Sequence, residues 1–312
     1  MPERARTPST MTIPNTFIVG APRSGTTALH HYLSQHPDVF MSDPKEPHHF
    51  GQDLWTDYTD FFARFRDRAR YLALFEDAGA HKAVGEASVW YLYSSTAAEE
   101  IHRFNPDARI IVTLRHPVDY LHSLHQHMLI SGEEPIDDFL QAINTDREAR
   151  KQAGIELIGR YRTGFPGYRP TALFADQIVR YQEVFGKDRV HVVLLDDIKR
   201  DTAAACGDIC RFLGLRPEYQ ADFSPVNESR KVERRWLHRA LTGEWEWRHR
   251  LGRMLPERVR VAAWRRLHNV ATSHKKREKL DPALRRELTG EFAGEIERIA
   301  HVIERDLDHW LH

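Results

Sequence analysis

The feature that most constrains the fold is an apolar segment that runs through a short Gly-rich loop directly into a helix. Residues 16–20 (TFIVG) are typical of a buried strand, and the spacing predicts a helix from about Thr26 to Gln35. The loop between them reads Ala21-Pro-Arg-Ser-Gly25. A strand, a tight loop and a helix in this order are typical of α/β folds. The loop amides and the helix N-terminus together form a site for an anion.

Further strands alternate with helices along the chain, which predicts a parallel sheet covered by helices. The predicted strands after the first are Ala83–Glu86, Arg109–Leu114 and Val190–Leu195. The predicted helices after the first are one from near Pro117, Thr171–Phe185, Thr202–Leu213 and a long one over 281–310, capped by Asp281-Pro282. We therefore expect an α/β, three-layer P-loop-like fold with a short parallel sheet and a C-terminal helical extension.

The domain organisation follows from changes in composition. Residues 1–14 are predicted to be a flexible N-terminal tail, 15–228 the α/β core, and 229–312 a basic helical extension of the same domain. The chain of 312 residues is 41% hydrophobic, which excludes a disordered chain. Its 45 Lys and Arg balance 45 Asp and Glu, so the total charge does not indicate a nucleic-acid partner.

Charge is nevertheless concentrated in one segment. Residues 230–279 hold sixteen Lys or Arg against five Asp or Glu, with several Trp among them. This basic segment could bind an anionic acceptor, a membrane surface or a partner subunit, and a solvated helical face is the alternative. The oligomeric state stays open.

The cysteine content and the hydropathy of the sequence indicate where in the cell the protein is expected. Cys206 and Cys210 lie four apart in a predicted helix and are expected to be a reduced pair near the core. No apolar run reaches the ~18 residues of a membrane span, and residues 1–14 lack the apolar region of a signal peptide. We therefore expect a soluble, cytoplasmic protein.

The loop has the spacing of a nucleotide phosphate loop but lacks its lysine. Gly20 and Gly25 are correctly spaced, whereas Thr26 stands where that lysine is expected, and Arg23 is the nearest cation. Because that lysine serves β- and γ-phosphate chemistry with magnesium, its loss argues against an ATPase or ordinary kinase. The alternative is a Gly-rich turn that binds nothing.

The segment Pro22-Arg-Ser-Gly-Thr-Thr27 resembles the 5′-phosphosulfate loop of sulfotransferases that use 3′-phosphoadenosine-5′-phosphosulfate (PAPS). After the strand 109–114, the segment Leu114-Arg115 to Ser123 resembles the element with which that family grips the 3′-phosphate. An Arg at a strand end and a Ser two turns into the next helix can converge on one phosphate. The resemblance implies these PAPS-binding residues, with 3′,5′-ADP as product: Arg23, Ser24, Gly25, Thr26, Thr27, Arg115 and Ser123.

The segment Lys45-Glu-Pro-His-His-Phe50 resembles the heparan-sulfate and bacterial carbohydrate branch of that family. The resemblance implies that Glu46 is the catalytic base, with His48 as the alternative, and that Arg23 stabilises the leaving phosphate. We expect burial to raise the pKa of Glu46. No metal is required, because donors already surround the leaving group.

Two departures leave the acceptor open. Ala87 follows Glu86 where heparan-type enzymes often have a lysine, and Phe174 stands where an aromatic hydroxyl is expected. The acceptor is a small molecule or glycan: a hydroxyl, or less favourably an amine, of a carbohydrate, glycolipid or secondary metabolite.

Two basic residues are further candidates for the nucleotide site, and two rival functions fit parts of the sequence. Arg230 or Lys231 falls where family members close a basic loop over the nucleotide. One rival is an ATP- and magnesium-dependent kinase, for which Asp196-Asp197 after a strand would bind the metal, although a strand-end turn explains these acids better. The other is a non-catalytic nucleotide-binding protein.

Overall fold

A five-stranded parallel sheet underlies the fold. The computed structural model describes residues 12–54, 64–154, 165–224 and 279–312, and the backbone of 231–232 and 272–273. The strands are β1 (Thr16–Gly20), β2 (Val39–Met41), β3 (Ala83–Ala87), β4 (Arg109–Leu114) and β5 (Val190–Leu194). Their order is β2-β3-β1-β4-β5, and every neighbouring pair is parallel. The predicted α/β class with a short parallel sheet is confirmed.

Helices connect the strands and follow them. In chain order they are α1 (Thr26–Leu33), α2 (Arg68–Ala73), α3 (Ala97–Phe104), α4 (Pro117–Ser131), α5 (Phe139–Asn144), α6 (Arg147–Gln152), α7 (Tyr168–Thr171), α8 (Phe174–Phe185), α9 (Leu195–Arg200), α10 (Thr202–Phe212), α11 (Pro282–Glu291) and α12 (Ala293–Ile303). A two-stranded antiparallel pair, β6 (Lys231–Val232) and β7 (Thr272–Ser273), lies outside the main sheet.

The sequence-based boundaries were wrong at three places in the core. The strand β2 was not predicted, because three residues are too short to show the alternation of a strand. The predicted helix over 171–185 is the single turn α7 followed by α8. Leu195 begins α9 rather than ending a strand, so Asp196 and Asp197 lie in a first helical turn, where acids are stabilised by the helix dipole.

The prediction of one C-terminal helix over 281–310 is also wrong in two respects: the helical segment ends at Ile303, and it is interrupted. It is two helices, α11 and α12, separated at Phe292, whose φ of −93° and ψ of 4° interrupt the helix. The predicted cap is confirmed, since the Asp281 side chain accepts hydrogen bonds from the amides of Ala283 and Leu284.

Side chains of β1 pack on both faces of the sheet, as expected for a strand buried on two sides. Ile18 belongs to an aliphatic cluster with residues of α1 and α10, which includes the buried thiols Cys206 and Cys210. On the other face the Phe17 ring lies 5.9 Å from the Phe50 ring, in an aromatic cluster with Tyr71. The predicted position of both cysteines in the core is confirmed.

The chain divides into two compact units. The first comprises Met1–Asp53, Thr59–Leu114 and Gln177–Ser224, and so contains the five-stranded sheet. The second comprises Leu54–Tyr58, Arg115–Asp176 and Pro225–His312. The domain boundary predicted at residue 228 lies outside the described residues.

The predicted membrane-surface contact also lies largely outside them, because only the backbone of 231–232 and 272–273, and Lys279, are described in the basic segment 230–279. Within the described part of the chain, none of the helices combines the length and the apolar character needed to cross a membrane.

Candidate active site

The loop after β1 is held at its start by β4 on one side and by the segment that follows β3 on the other. The Ala21 amide donates to the Thr113 carbonyl of β4 at 2.7 Å, and the Thr113 hydroxyl donates to the Gly20 carbonyl at 2.9 Å. On the β3 side, a Cβ placed at Gly20 would lie 2.7 Å from the Val89 carbonyl oxygen and from the Leu92 Cβ. Only glycine fits this close approach, which explains the first glycine of the motif.

The loop delivers an uncapped helix N-terminus. Gly25 is the residue before α1, with a φ of 94°, and neither a capping side chain nor an acid of the first turn satisfies the α1 amides. Arg23 is half-buried with a φ of 62°, Ser24 and Thr26 are buried, and Thr27 is exposed. These amides and hydroxyls fit an anion, since a helix N-terminus attracts negative charge.

Glu46 is placed at the same edge of the sheet by a backbone contact. Its amide donates to the carbonyl of Ala87, the last residue of β3, at 3.0 Å, and β3 is the direct neighbour of β1. Glu46 and His48 both have positive φ, 63° and 50°. This conformation costs a residue other than glycine roughly 1–2 kcal/mol, and it persists where the surroundings hold it.

The Glu46 carboxylate lies between two basic side chains. The Nζ of Lys45 is 2.7 Å from Oε1, and the Nε2 of His48 is 3.4 Å from Oε2. Burial by itself would raise the pKa of Glu46, but the hydrogen bond from His48 and the charge of Lys45 outweigh it and hold that pKa well below its usual range. The expectation that the pKa of Glu46 is raised was therefore wrong.

Sequence reasoning missed a buried group behind this segment. The Glu86 carboxylate, fully buried at the end of β3, accepts hydrogen bonds from Ser88 Oγ at 2.6 Å and from the hydroxyls of Tyr71 and Tyr91 at 3.0 Å each. Burial raises the pKa of Glu86 to about 7 against the lowering effect of these hydroxyls. Lys45 was missed as well, although its place beside Glu46 in the sequence was a usable signal.

The predicted 3′-phosphate residues belong to the second unit. Arg115 is half-buried two residues before the start of α4, and Ser123 is buried on α4. His116 caps α4, because its Nδ1 accepts the Val118 amide hydrogen at 3.2 Å while its Nε2 donates to the Trp310 carbonyl at 2.8 Å. The segment that carries Arg115 is thereby tied to the C-terminal segment of the same unit.

Three other residues singled out in the sequence are Arg230, Lys231 and Phe174, of which only Phe174 has a described side chain. Arg230 lies outside the described residues, and Lys231 is described only as backbone, paired with Ser273. Phe174 is buried, with its ring 5.0 Å from that of Tyr120, so it packs in the core of the second unit.

These features define a class of protein: a parallel α/β fold with a Gly-rich loop between its first strand and first helix and a carboxylate at the same sheet edge. The sequence model of the sulfotransferase family matches residues 14–220. The chain therefore belongs to the sulfotransferase family.

Individual relatives agree with this assignment. The chain is 26% identical to mouse carbohydrate sulfotransferase 15 over 280 residues, covering 72% of this chain and 49% of the relative. It is 28% identical to human bifunctional heparan sulfate N-deacetylase/N-sulfotransferase 2 over 221 residues, covering 66% of this chain and 22% of the relative. The chain thus matches about half the length of the first and less of the second.

A solved structure is similar over nearly the whole chain. The crystal structure of a sulfotransferase from Alicyclobacillus acidocaldarius superposes with a TM-score of 0.71 at 29% identity, covering 96% of this chain and all of that one.

Proposed function

We propose that this protein transfers a sulfuryl group from PAPS to a hydroxyl of a carbohydrate acceptor. The observation that carries the proposal is the position of Glu46, which is bound to the end of β3 while the phosphate loop follows the adjacent β1. A base and an anion site at the same edge of a sheet are what in-line group transfer requires. Similarity to carbohydrate and heparan sulfate sulfotransferases supports a glycan acceptor.

The 5′ end of the donor is assigned to the loop. The amides of Gly25 and Thr26, the hydroxyls of Thr26 and Thr27, and the guanidinium of Arg23 supply donors there. Such donors stabilise the negative charge that develops on the departing phosphate. Arg115 and Ser123 are proposed to bind the 3′-phosphate, because an Arg–phosphate contact is strong and directional.

In the proposed step, the acceptor oxygen forms a bond to sulfur while the bond from sulfur to the 5′-phosphate oxygen breaks. The Glu46 carboxylate takes the hydroxyl proton, and 3′,5′-ADP leaves with the bonding electron pair. The lowered pKa of Glu46 keeps it ionised before reaction. A weak base is sufficient, since the acceptor hydroxyl becomes strongly acidic as its oxygen bonds to sulfur.

The test is transfer of label from [35S]PAPS to a panel of sugars, desulfated glycans and amino sugars. We expect labelled product with wild type, no requirement for a metal, and stabilisation by 3′,5′-ADP in a thermal-shift assay. Stabilisation by ATP with magnesium alone, together with phosphate transfer, would establish the kinase instead. Binding of 3′,5′-ADP without transfer to any acceptor would favour the non-catalytic protein.

A further inference from the structure

Three alternate amides of the Glu46 segment are held by the chain that leaves β3. The amide of Glu46 donates to the Ala87 carbonyl at 3.0 Å and that of His48 to Ser88 Oγ at 3.1 Å. The amide of Phe50 donates to the Tyr91 hydroxyl at 3.1 Å. Because Glu46 and His48 have positive φ, these contacts hold a conformation that the segment would not adopt alone.

Two of these three contacts depend on side-chain hydroxyls that both point at Glu86. Ser88 Oγ donates to one carboxylate oxygen at 2.6 Å, and the Tyr91 hydroxyl donates to the other at 3.0 Å. A hydroxyl has a single hydrogen. Since each hydrogen is directed at Glu86, the oxygen lone pairs of Ser88 and Tyr91 remain to accept the amides of His48 and Phe50.

The carboxylate is the group that sets this direction. An ionised carboxylate only accepts hydrogen bonds, whereas an amide of the same shape would also donate and reverse one hydroxyl. Glu86, Ser88 and Tyr91 are all fully buried, so water does not reach them to substitute for a lost partner. Tyr71 of α2 donates to the same oxygen as Tyr91, which ties α2 to the group.

We infer that Glu86 is a positioning residue for the catalytic base, acting through Ser88 on His48 and through Tyr91 on the following turn. The inference rests on the proposed function, in which Glu46 is the base. Glu86 contacts the hydroxyls of Ser88, Tyr91 and Tyr71, and it is linked to the Glu46 segment through the amides of His48 and Phe50.

The experiment is a double-mutant cycle of Glu86→Gln and Glu46→Gln, assayed with [35S]PAPS. We expect Glu86→Gln to lower kcat about tenfold to a hundredfold, the scale that a small misplacement of a reacting group produces. The KM for PAPS and the stabilisation by 3′,5′-ADP should change less than about twofold. In the Glu46→Gln background the second substitution should leave the residual rate unchanged, because both act through one group.

A second readout does not depend on catalysis. Hydrogen exchange of peptides that cover residues 44–51 should be faster in Glu86→Gln than in wild type, because the amides of His48 and Phe50 lose their oriented acceptors. Glu295→Gln is the matched control, because Glu295 is also a buried carboxylate and accepts a backbone amide, that of Ala175. This variant should change neither kcat nor the hydrogen exchange of residues 44–51. Ser88→Ala and Tyr91→Phe replace Glu86→Gln if that variant does not fold.

The outcomes separate the two proposals. Wild type without sulfuryl transfer would overturn the proposed function, while the exchange experiment would still decide the role of Glu86. An unchanged kcat in Glu86→Gln, or an equal loss of rate in both backgrounds, would overturn the inference. Unchanged exchange over residues 44–51 would overturn it too.

Discussion

The Nε2 of His48 lies 3.4 Å from Oε2 of Glu46, while Lys45 contacts the other oxygen at 2.7 Å. His48 is almost fully buried and Glu46 only partly so, with 5% and 25% of their side chains exposed. The partly exposed carboxylate is therefore the one of the two that an acceptor hydroxyl can reach more readily. This relationship supports the proposal that Glu46 is the base and that His48 orients it.

Replacing the proposed base is the most direct test of its role. Glu46→Gln should lower kcat by about 10²–10⁴, the range associated with a general base, while 3′,5′-ADP still stabilises the protein. The measurement is steady-state transfer from [35S]PAPS beside a thermal-shift titration. His48→Asn should retain more activity than Glu46→Gln, and the reverse order would assign the base to His48.

The pH profile tests the role of Lys45. Glu46 acts as a base only when ionised, and its pKa lies well below its usual range because His48 and Lys45 favour the charged form against burial. Protonation of Glu46 should therefore abolish the proposed activity only at low pH. In the Glu86→Gln background, which removes the step that Glu86 contributes near pH 7, Lys45→Met should raise the pKa of Glu46 and move the remaining acid limb of the kcat profile to higher pH. Lys82→Met in the same background is the control, since Lys82 is exposed and pairs with Asp38; an unmoved acid limb in Lys45→Met would contradict the prediction.

Glu86 should make stability depend on pH. Burial raises its pKa from 4.5 to about 7, so over that interval the folded protein holds a proton that the unfolded chain releases. The free energy of unfolding should therefore fall as pH rises through this window, by up to about 3 kcal/mol, and level off above it. Denaturant unfolding at about pH 5 and pH 8 should show this difference in wild type and lose it in Glu86→Gln. The exposed control Glu99→Gln should behave as wild type, and a Glu86→Gln profile that parallels wild type would count against the raised pKa.

The kcat should also depend on the ionisation of Glu86, but it should rise with pH where the free energy of unfolding falls. The ionised form of Glu86 accepts the hydroxyls of Ser88, Tyr71 and Tyr91, and Lys45 is the charged neighbour that favours it. The kcat of wild type is expected to rise as pH increases through about 7, and this rise should be absent in Glu86→Gln. An identical rise in both proteins would assign it to another group.

The close approach of neighbouring atoms to Gly20 predicts that even an alanine at this position destabilises the protein. Gly20→Ala places a Cβ 2.7 Å from the Val89 carbonyl and the Leu92 Cβ, at a φ of 156°. It should destabilise the protein by about 1–3 kcal/mol and weaken 3′,5′-ADP binding through the loop. Gly290→Ala in α11 meets no atom within 4 Å and should stabilise by up to about 1 kcal/mol. Thermal unfolding with and without 3′,5′-ADP measures both, and equal stability of the two variants would refute the steric argument.

The proposed 3′-phosphate contact is tested by ligand choice. Wild type should bind 3′,5′-ADP more tightly than 5′-AMP, and Arg115→Met should reduce this preference about tenfold or more, as expected for a lost hydrogen bond to a charged group. Ser123→Ala should have a smaller effect. Arg103→Met removes an exposed arginine of α3 and serves as the control for charge. Unchanged preference in Arg115→Met would remove Arg115 from the site.

Local patterns in the sequence were enough to predict three of the strands and the Gly-rich loop. The apolar strands β1, β3 and β4 and the Gly-rich loop were predicted within a few residues, because each is defined by adjacent residues. The break at Phe292 was not predicted, because the glycines that flank it, Gly290 and Gly294, are each tolerated inside a helix. The start of α9 at Leu195 was not predicted either, because the apolar run of the strand continues through Leu195 without a turn residue.

The sequence by itself determined the strand–loop–helix unit, the missing lysine and the Glu46 segment, since all of these are short-range features. Only the tertiary structure decided that β3 lies beside β1, which brings Ala87 to the Glu46 amide and places Glu86 behind it. It also decided the direction of both pKa shifts. Burial and charge depend on neighbours distant in the chain, as in the hydrogen bond from Tyr71 to Glu86, and no local pattern encodes them.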